Sequence, residues 1–80
     1  MKNATLYTRE GCPLCDKAMA LLIELQEEIS FHVETVNIYE EEKLLEEYHL
    51  MIPVLHIDGK MAGYGLLEKE FIRKRLHKKE

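Results

Sequence analysis

Leu6-Tyr7-Thr8-Arg9-Glu10-Gly11-Cys12-Pro13-Leu14-Cys15 joins a short apolar run to a long amphipathic one. The stretch reads as strand, tight turn and helix start. Pro13 suits the first helical position, where its missing N–H costs nothing. Cys12 and Cys15 are the only cysteines in the chain. Two cysteines three apart at a helix start are placed for redox chemistry. Unpaired N–H groups and the positive end of the helix dipole favour thiolate over thiol. The thiolate is the species that attacks disulfides. Positions i and i+3 lie about 5–6 Å apart on a helix, within disulfide reach. Cys12, at the helix edge, reads as the exposed nucleophile; Cys15, one turn in, reads as the shielded resolving thiol. Arg9 adds positive charge nearby, and Asp16 works against it.

Around this segment the chain alternates strand and helix patterns. Ala4 to Thr8 is a buried-strand run. Ala18, Leu21, Leu22, Leu25 and Ile29 recur at helical spacing and form a core-facing stripe. Phe31 to Ile38 reads as a second strand, which makes a β-α-β unit and predicts parallel pairing. Glu40 to Tyr48 is a shorter helix with an acidic first turn, and with Leu44, Leu45 and Tyr48 on its apolar face. Val54 to Ile57 is a third strand opened by Ile52-Pro53. Asp58-Gly59 is a two-residue hairpin signal. Lys60 to Ala62 is the return strand, broken by Gly63-Tyr64-Gly65. Leu66 to His77 closes the chain as a helix, with Leu67, Phe71, Ile72 and Leu76 inward. Met19, Met51 and Met61 read as core filler. The acidic run Glu40–Glu42 and the basic cluster from Arg73 to Lys79 read as solvated helix faces.

The 80 residues suit one domain, 1–80, of 46% hydrophobic and 32% charged composition. A net charge of −4 argues against nucleic acid as a partner, because that affinity comes from Lys and Arg on phosphates. No segment reaches the ~20 apolar residues of a membrane span. The start, Met1-Lys2-Asn3, carries no signal-peptide pattern, so a cytoplasmic location is expected. There a close cysteine pair is more often catalytic or metal-binding than a structural staple. Zinc needs four ligands, usually including a second close pair. His32, His49, His56 and His77 are scattered, so no metal site is expected and none of the four is assigned to chemistry.

The order β-α-β-α-β-β-α, the Cys-Pro-x-Cys at the first helix and the Pro before the third strand resemble the glutaredoxin branch of the thioredoxin-like superfamily. Leu6-Tyr7-Thr8-Arg9 and Ile52-Pro53-Val54-Leu55 with Asp58-Gly59 are similar to the short bacterial glutaredoxin-like proteins. The resemblance covers nearly the whole chain. It implies a three-layer α/β fold with a four-stranded mixed sheet ordered 2-1-3-4 and three helices. It implies a cis Ile52-Pro53 bond facing the cysteines, with the Ile52 N–H and C=O free to pair with an extended substrate. Tyr7, Arg9, Pro13, Ile52, Pro53, Gly63 and Tyr64 become substrate-binding residues around a Cys12/Cys15 catalytic dithiol. The implied activity is reduction of protein or small-molecule disulfides by a monomer without a tightly bound cofactor. Glutathione enters as a co-substrate, and glutathione or a reductase as electron donor. The alternative is a carrier that holds an Fe–S cluster or zinc through Cys12 without turnover.

Several residues depart from the glutaredoxin pattern. Leu14 replaces a Tyr and Met51 a Thr. Leu66-Leu67 replaces the acidic pair that meets the glutathione amine. The resemblance therefore implies weak glutathione binding, with free N–H groups at Gly65 as a residual carboxylate site.

Overall fold

The computed structural model describes residues 1–77. Four strands and three α-helices follow the expected order. They are β1 (Lys2–Thr8), α1 (Pro13–Gln26), β2 (Phe31–Asn37), α2 (Glu42–Tyr48), β3 (Val54–Ile57), β4 (Lys60–Tyr64) and α3 (Lys69–His77). The sheet order is β2-β1-β3-β4. β1 runs parallel to β2 and antiparallel to β3, and β3 pairs antiparallel with β4. This is the mixed thioredoxin-like sheet, with helices on both faces.

Strand alternation sorts the side chains. Ala4, Leu6, Phe31, Leu55, Ile57 and Ala62 meet Ala18, Leu22 and Leu25 of α1 and Ile72 and Leu76 of α3 in one core. Leu6, Leu22, Leu25 and Leu55 are fully buried. Each contributes about 1.5–3 kcal/mol relative to exposure. The opposite face carries Tyr7 and His56, which pack against Tyr48 at the end of α2. α2 fully buries none of its side chains, so its hold on the sheet is light.

Several boundaries differ from the sequence reading. β2 ends at Asn37 rather than Ile38, and α2 starts at Glu42 rather than Glu40, because Ile38–Glu40 forms a 3-10 turn in which Asn37 and Glu40 make a reciprocal capping box. β4 continues through Gly63 and Tyr64, which pair with Leu55 and Val54; the break comes at Gly65, with φ +69°. α1 stops at Gln26, and the Glu28 and Ile29 N–H groups close its last turn on the Leu25 carbonyl. α3 begins at Lys69, not Leu66. Ile72 and Leu76 then take the core-facing stripe, and Phe71, about 100° away on the helix, is 52% exposed. Met61 is likewise exposed, so it is surface and not core filler.

The basic cluster is not wholly solvated. Arg73 binds Glu70 within α3 and Glu28 just beyond the end of α1, and Lys69, ahead of the cluster, binds Glu24 of α1. Lys78 and Lys79 lie outside the described residues. Asp58, at φ +50°, and Gly59, at φ +82°, make the β3–β4 turn as the Asp-Gly pair predicts. Among the described residues no helix is long and apolar enough to cross a membrane.

Candidate active site

The C-terminal ends of β1, β2 and β4 and the N-terminal end of β3 lie at one end of the sheet, since Tyr7 pairs with both Val36 and Val54, and Val54 with Tyr64. That end collects the Cys12–Cys15 segment, the turn at Asn37, the Ile52-Pro53 bond and the Tyr64-Gly65-Leu66 turn. Gly11, at φ +68°, lets the chain reverse between β1 and α1.

Cys12 is the N-cap of α1, and Pro13 follows it, exposed, at the first helical position. The Cys15 N–H donates to Cys12 Sγ at 3.2 Å. This is one of the orphan N–H groups of a helix start, pointed at sulfur where an Asp or Ser oxygen more often caps. The two cysteines form a disulfide, with Cα atoms 5.2 Å apart. Exposure does not separate them. Cys12 is 6% exposed and Cys15 4%, so the expectation of an open Cys12 beside a shielded Cys15 does not hold in the oxidised protein. The asymmetry between the two is the hydrogen bond from the Cys15 N–H to Cys12 Sγ.

Ile52-Pro53 is cis, and Pro53 is fully buried. The turn is tied on both sides. The Met51 and Ile52 N–H groups both donate to the Tyr48 carbonyl, at 2.8 and 3.1 Å. The Gly65 N–H donates to the Pro53 and Met51 carbonyls, at 2.8 and 3.1 Å. Two expectations are corrected here. The Ile52 N–H is not free, because the close of α2 captures it. The Gly65 N–H is not a spare carboxylate donor, because it holds the proline turn. The Ile52 carbonyl accepts no hydrogen bond among the described residues.

The remaining predicted site residues fall at three places. Arg9 is exposed; its guanidinium donates to the Glu10 carbonyl, and it lines a small depression with Asn37 and Tyr39. Gly63 and Tyr64 lie on edge strand β4. Tyr64 is 57% exposed, and with Leu66, Leu67 and Phe71 it borders a groove of about 300 Å³. A Cβ on Gly63 would meet the Leu67 side chain at 3.0 Å, so glycine leaves that Leu room. Tyr7 lies at the third place, half-buried, its ring 5.2 Å from Tyr48 and 5.1 Å from His56. Tyr48 and His56 were not among the sequence candidates. Tyr48 Oη stands 3.4 Å from His56 Nε2. Burial, with the nearby Glu47 carboxylate, pushes the Tyr48 phenol up, which keeps it protonated. The sequence signal was available only as an aromatic ending α2 and a polar residue inside an apolar strand. No group of three or more potential metal ligands occurs among the described residues.

Known proteins share this fold. The solution structure of protein Ne2328 from Nitrosomonas europaea is 32% identical, with 94% of this chain and 91% of that one aligned and a TM-score of 0.83. The X-ray structure of target protein XcR50 from X. campestris is 27% identical, over 91% and 93%, with a TM-score of 0.78. A mutant thioredoxin from Halobacterium salinarum, 18% identical with a TM-score of 0.70 over 94% of this chain and 71% of that one, shares the fold. The family described as Glutaredoxin-like domain (DUF836) matches residues 3–79, and with the thioredoxin-like sheet and the Cys12–Cys15 pair already in place, the chain belongs to that family.

Proposed function

We propose that the protein is a small cytoplasmic thiol-disulfide oxidoreductase that reduces protein or low-molecular-weight disulfides through the Cys12/Cys15 dithiol. The observation that carries this reading is the Cys15 N–H directed at Cys12 Sγ. A helix N-terminus that donates to sulfur stabilises negative charge there, as a nucleophilic or leaving thiolate requires.

The chemistry runs in two exchanges. Cys12 thiolate attacks one sulfur of the substrate disulfide; the Cys12–substrate bond forms, the substrate S–S bond breaks, and the released sulfur leaves as thiolate and takes a proton. Cys15 then loses its proton and attacks Cys12 Sγ. The Cys12–Cys15 bond forms and the second substrate thiol departs. The substrate has gained two electrons and two protons, and the dithiol has become a disulfide. The Cα separation of 5.2 Å lies within the range that a disulfide spans. Glutathione or a reductase returns the two electrons.

Arg9 and Pro13 border the cysteines in this scheme. Ile52 and Pro53 supply the docking turn, with Tyr7 behind it, and Gly63 and Tyr64 form the far wall. Two cysteines that can close on each other, rather than one reactive cysteine, favour turnover over the carrier alternative. The test is NADPH consumption when the oxidised protein is offered glutathione with glutathione reductase, or thioredoxin reductase. Steady oxidation of NADPH on adding a disulfide substrate, lost in Cys12→Ser, supports the reading. A reduced protein that leaves protein and small-molecule disulfides intact overturns it.

A further inference from the structure

Tyr48 stands on the sheet face away from α1 and α3, yet it reaches the docking turn through its backbone. It is the last residue of α2. Its ring is held by two others from adjacent strands, Tyr7 at 5.2 Å and His56 at 6.2 Å between centroids, and its hydroxyl stands 3.4 Å from His56 Nε2. Its carbonyl accepts both the Met51 and the Ile52 N–H. One residue thus joins a side-chain anchor in the sheet to the peptide that precedes Pro53. α2 buries no side chain completely; Leu44, Leu45 and Tyr48 are its half-buried residues, and Tyr48 is the one whose ring contacts both β1 and β3. On the other side Gly65 holds Met51 and Pro53. Between the two ties the Ile52 carbonyl is left without a hydrogen bond among the described residues.

We propose that Tyr48, gripped by Tyr7 and His56, is a positioning residue that aims the Ile52 carbonyl at substrate, and that the substrates so recognised are peptide disulfides. The role rests on the oxidoreductase reading. With the Ile52 N–H spent on Tyr48, the turn offers a substrate an acceptor and no matching donor. A substrate gains from that acceptor only if it carries an N–H close to its disulfide. A cystine-containing polypeptide does. A simple dialkyl disulfide such as 2-hydroxyethyl disulfide has no amide to place there. Its exchange with Cys12 needs the thiolate alone.

The experiment compares these two substrates in wild type, Tyr48→Ala, Tyr48→Phe and His56→Phe. Losing one oriented hydrogen bond costs about ten-fold in affinity. Tyr48→Ala is expected to raise KM for a cystine peptide about ten-fold more than KM for 2-hydroxyethyl disulfide, with kcat for both within about two-fold of wild type. Tyr48→Phe, which keeps the ring and the backbone, should recover most of the loss. His56→Phe gives a milder rise of the same selectivity, and serves if Tyr48→Ala does not fold. Amide exchange at Met51 and Ile52 should quicken in parallel. A peptide KM that does not move, or equal losses on both substrates, overturns the positioning role while leaving the oxidoreductase reading intact. A wild-type protein inert toward both disulfides overturns the oxidoreductase reading and the role with it.

Discussion

The backbone N–H of Cys15 donates to the sulfur of Cys12 at 3.2 Å, so the second cysteine stabilises the first through its main chain and not its thiol. The two residues are about equally buried in the disulfide form, at 6% and 4% exposure, and residue accessibility there does not separate them. Charge stabilisation is one-sided. In the reduced protein Cys12 should react with iodoacetamide at neutral pH about ten-fold faster than Cys15. Because the donor is backbone, Cys15→Ser should keep the fast Cys12 and trap a mixed disulfide. Cys12→Ser should be inactive. Peptide mapping after brief alkylation checks the order, and preferential labelling of Cys15 would reverse the assignment.

Gly65 makes a second local test. Its φ is +69°, and nothing lies within 4 Å of where a Cβ would be, so alanine meets no clash and pays only for the left-handed backbone. That cost is about 1–2 kcal/mol. The same residue ties the Pro53 and Met51 carbonyls. Gly65→Ala should lower the melting temperature and lower kcat/KM for a protein disulfide, while alkylation of Cys12 is unchanged. Altered Cys12 reactivity would show that the turn acts on the thiol itself.

What the sequence disclosed was what local chemistry sets. Cys12 and Pro13 fix the start of α1, Asp58-Gly59 the hairpin, and the spacing of Ala18, Leu22 and Leu25 the buried stripe. The strand order and the cis Ile52-Pro53 bond followed from resemblance. The misreadings lie where a distant partner decides. Nothing near Ile52 says that its N–H turns back to Tyr48, because that depends on how α2 ends. Tyr7 is far in the chain from Tyr48 and His56 and meets them only once β1 and β3 pair. Phe71 looked inward because a helix started at Leu66 would place it so; Gly65 and the start at Lys69 leave it outside.

Asp58 gives the fold a defined acid response. The Asn3 backbone N–H donates to its carboxylate at 2.8 Å and Lys2 lies 3.5 Å away, which together hold the carboxyl below its ordinary range against a smaller opposing effect of burial. A depressed folded-state pKa means stability that is present above the unfolded aspartate value and lost as pH falls through the folded one. Asp58→Asn keeps an acceptor for Asn3 and tolerates the positive φ, but carries no charge. Its melting temperature should sit below wild type at neutral pH, with the gap closing as the pH drops through the Asp58 folded value. A gap that stays constant down to the most acid pH would assign the effect to turn geometry instead.

Glutathione should bind more weakly here than in glutaredoxins that carry the acidic pair. Leu66-Leu67 occupies the place of that pair, and Leu66 is 72% exposed with no charge to offer the glutathione amine. Losing a charge-assisted contact costs about 1.5–3 kcal/mol, or roughly 10- to 150-fold in affinity. The Ile52 N–H is already donated to Tyr48, which removes half of the main-chain pairing an extended tripeptide would make beside Pro53. Nor is the Gly65 N–H left to hold a carboxylate. Leu14 and Met51 stand where the glutaredoxin pattern has an aromatic and a hydroxyl. The check is titration of Cys15→Ser with glutathione disulfide, reading glutathionylated Cys12 by mass. Weak adduct formation beside ready reaction with a protein disulfide is the expected pair of results. Adduct formation equal to that of an acidic-pair glutaredoxin would mean that the exposed leucines and the captured N–H groups do not govern docking. Replacing Leu66-Leu67 by Asp-Asp should then leave the equilibrium unmoved, whereas on the present argument it shifts at least about ten-fold toward the glutathione adduct.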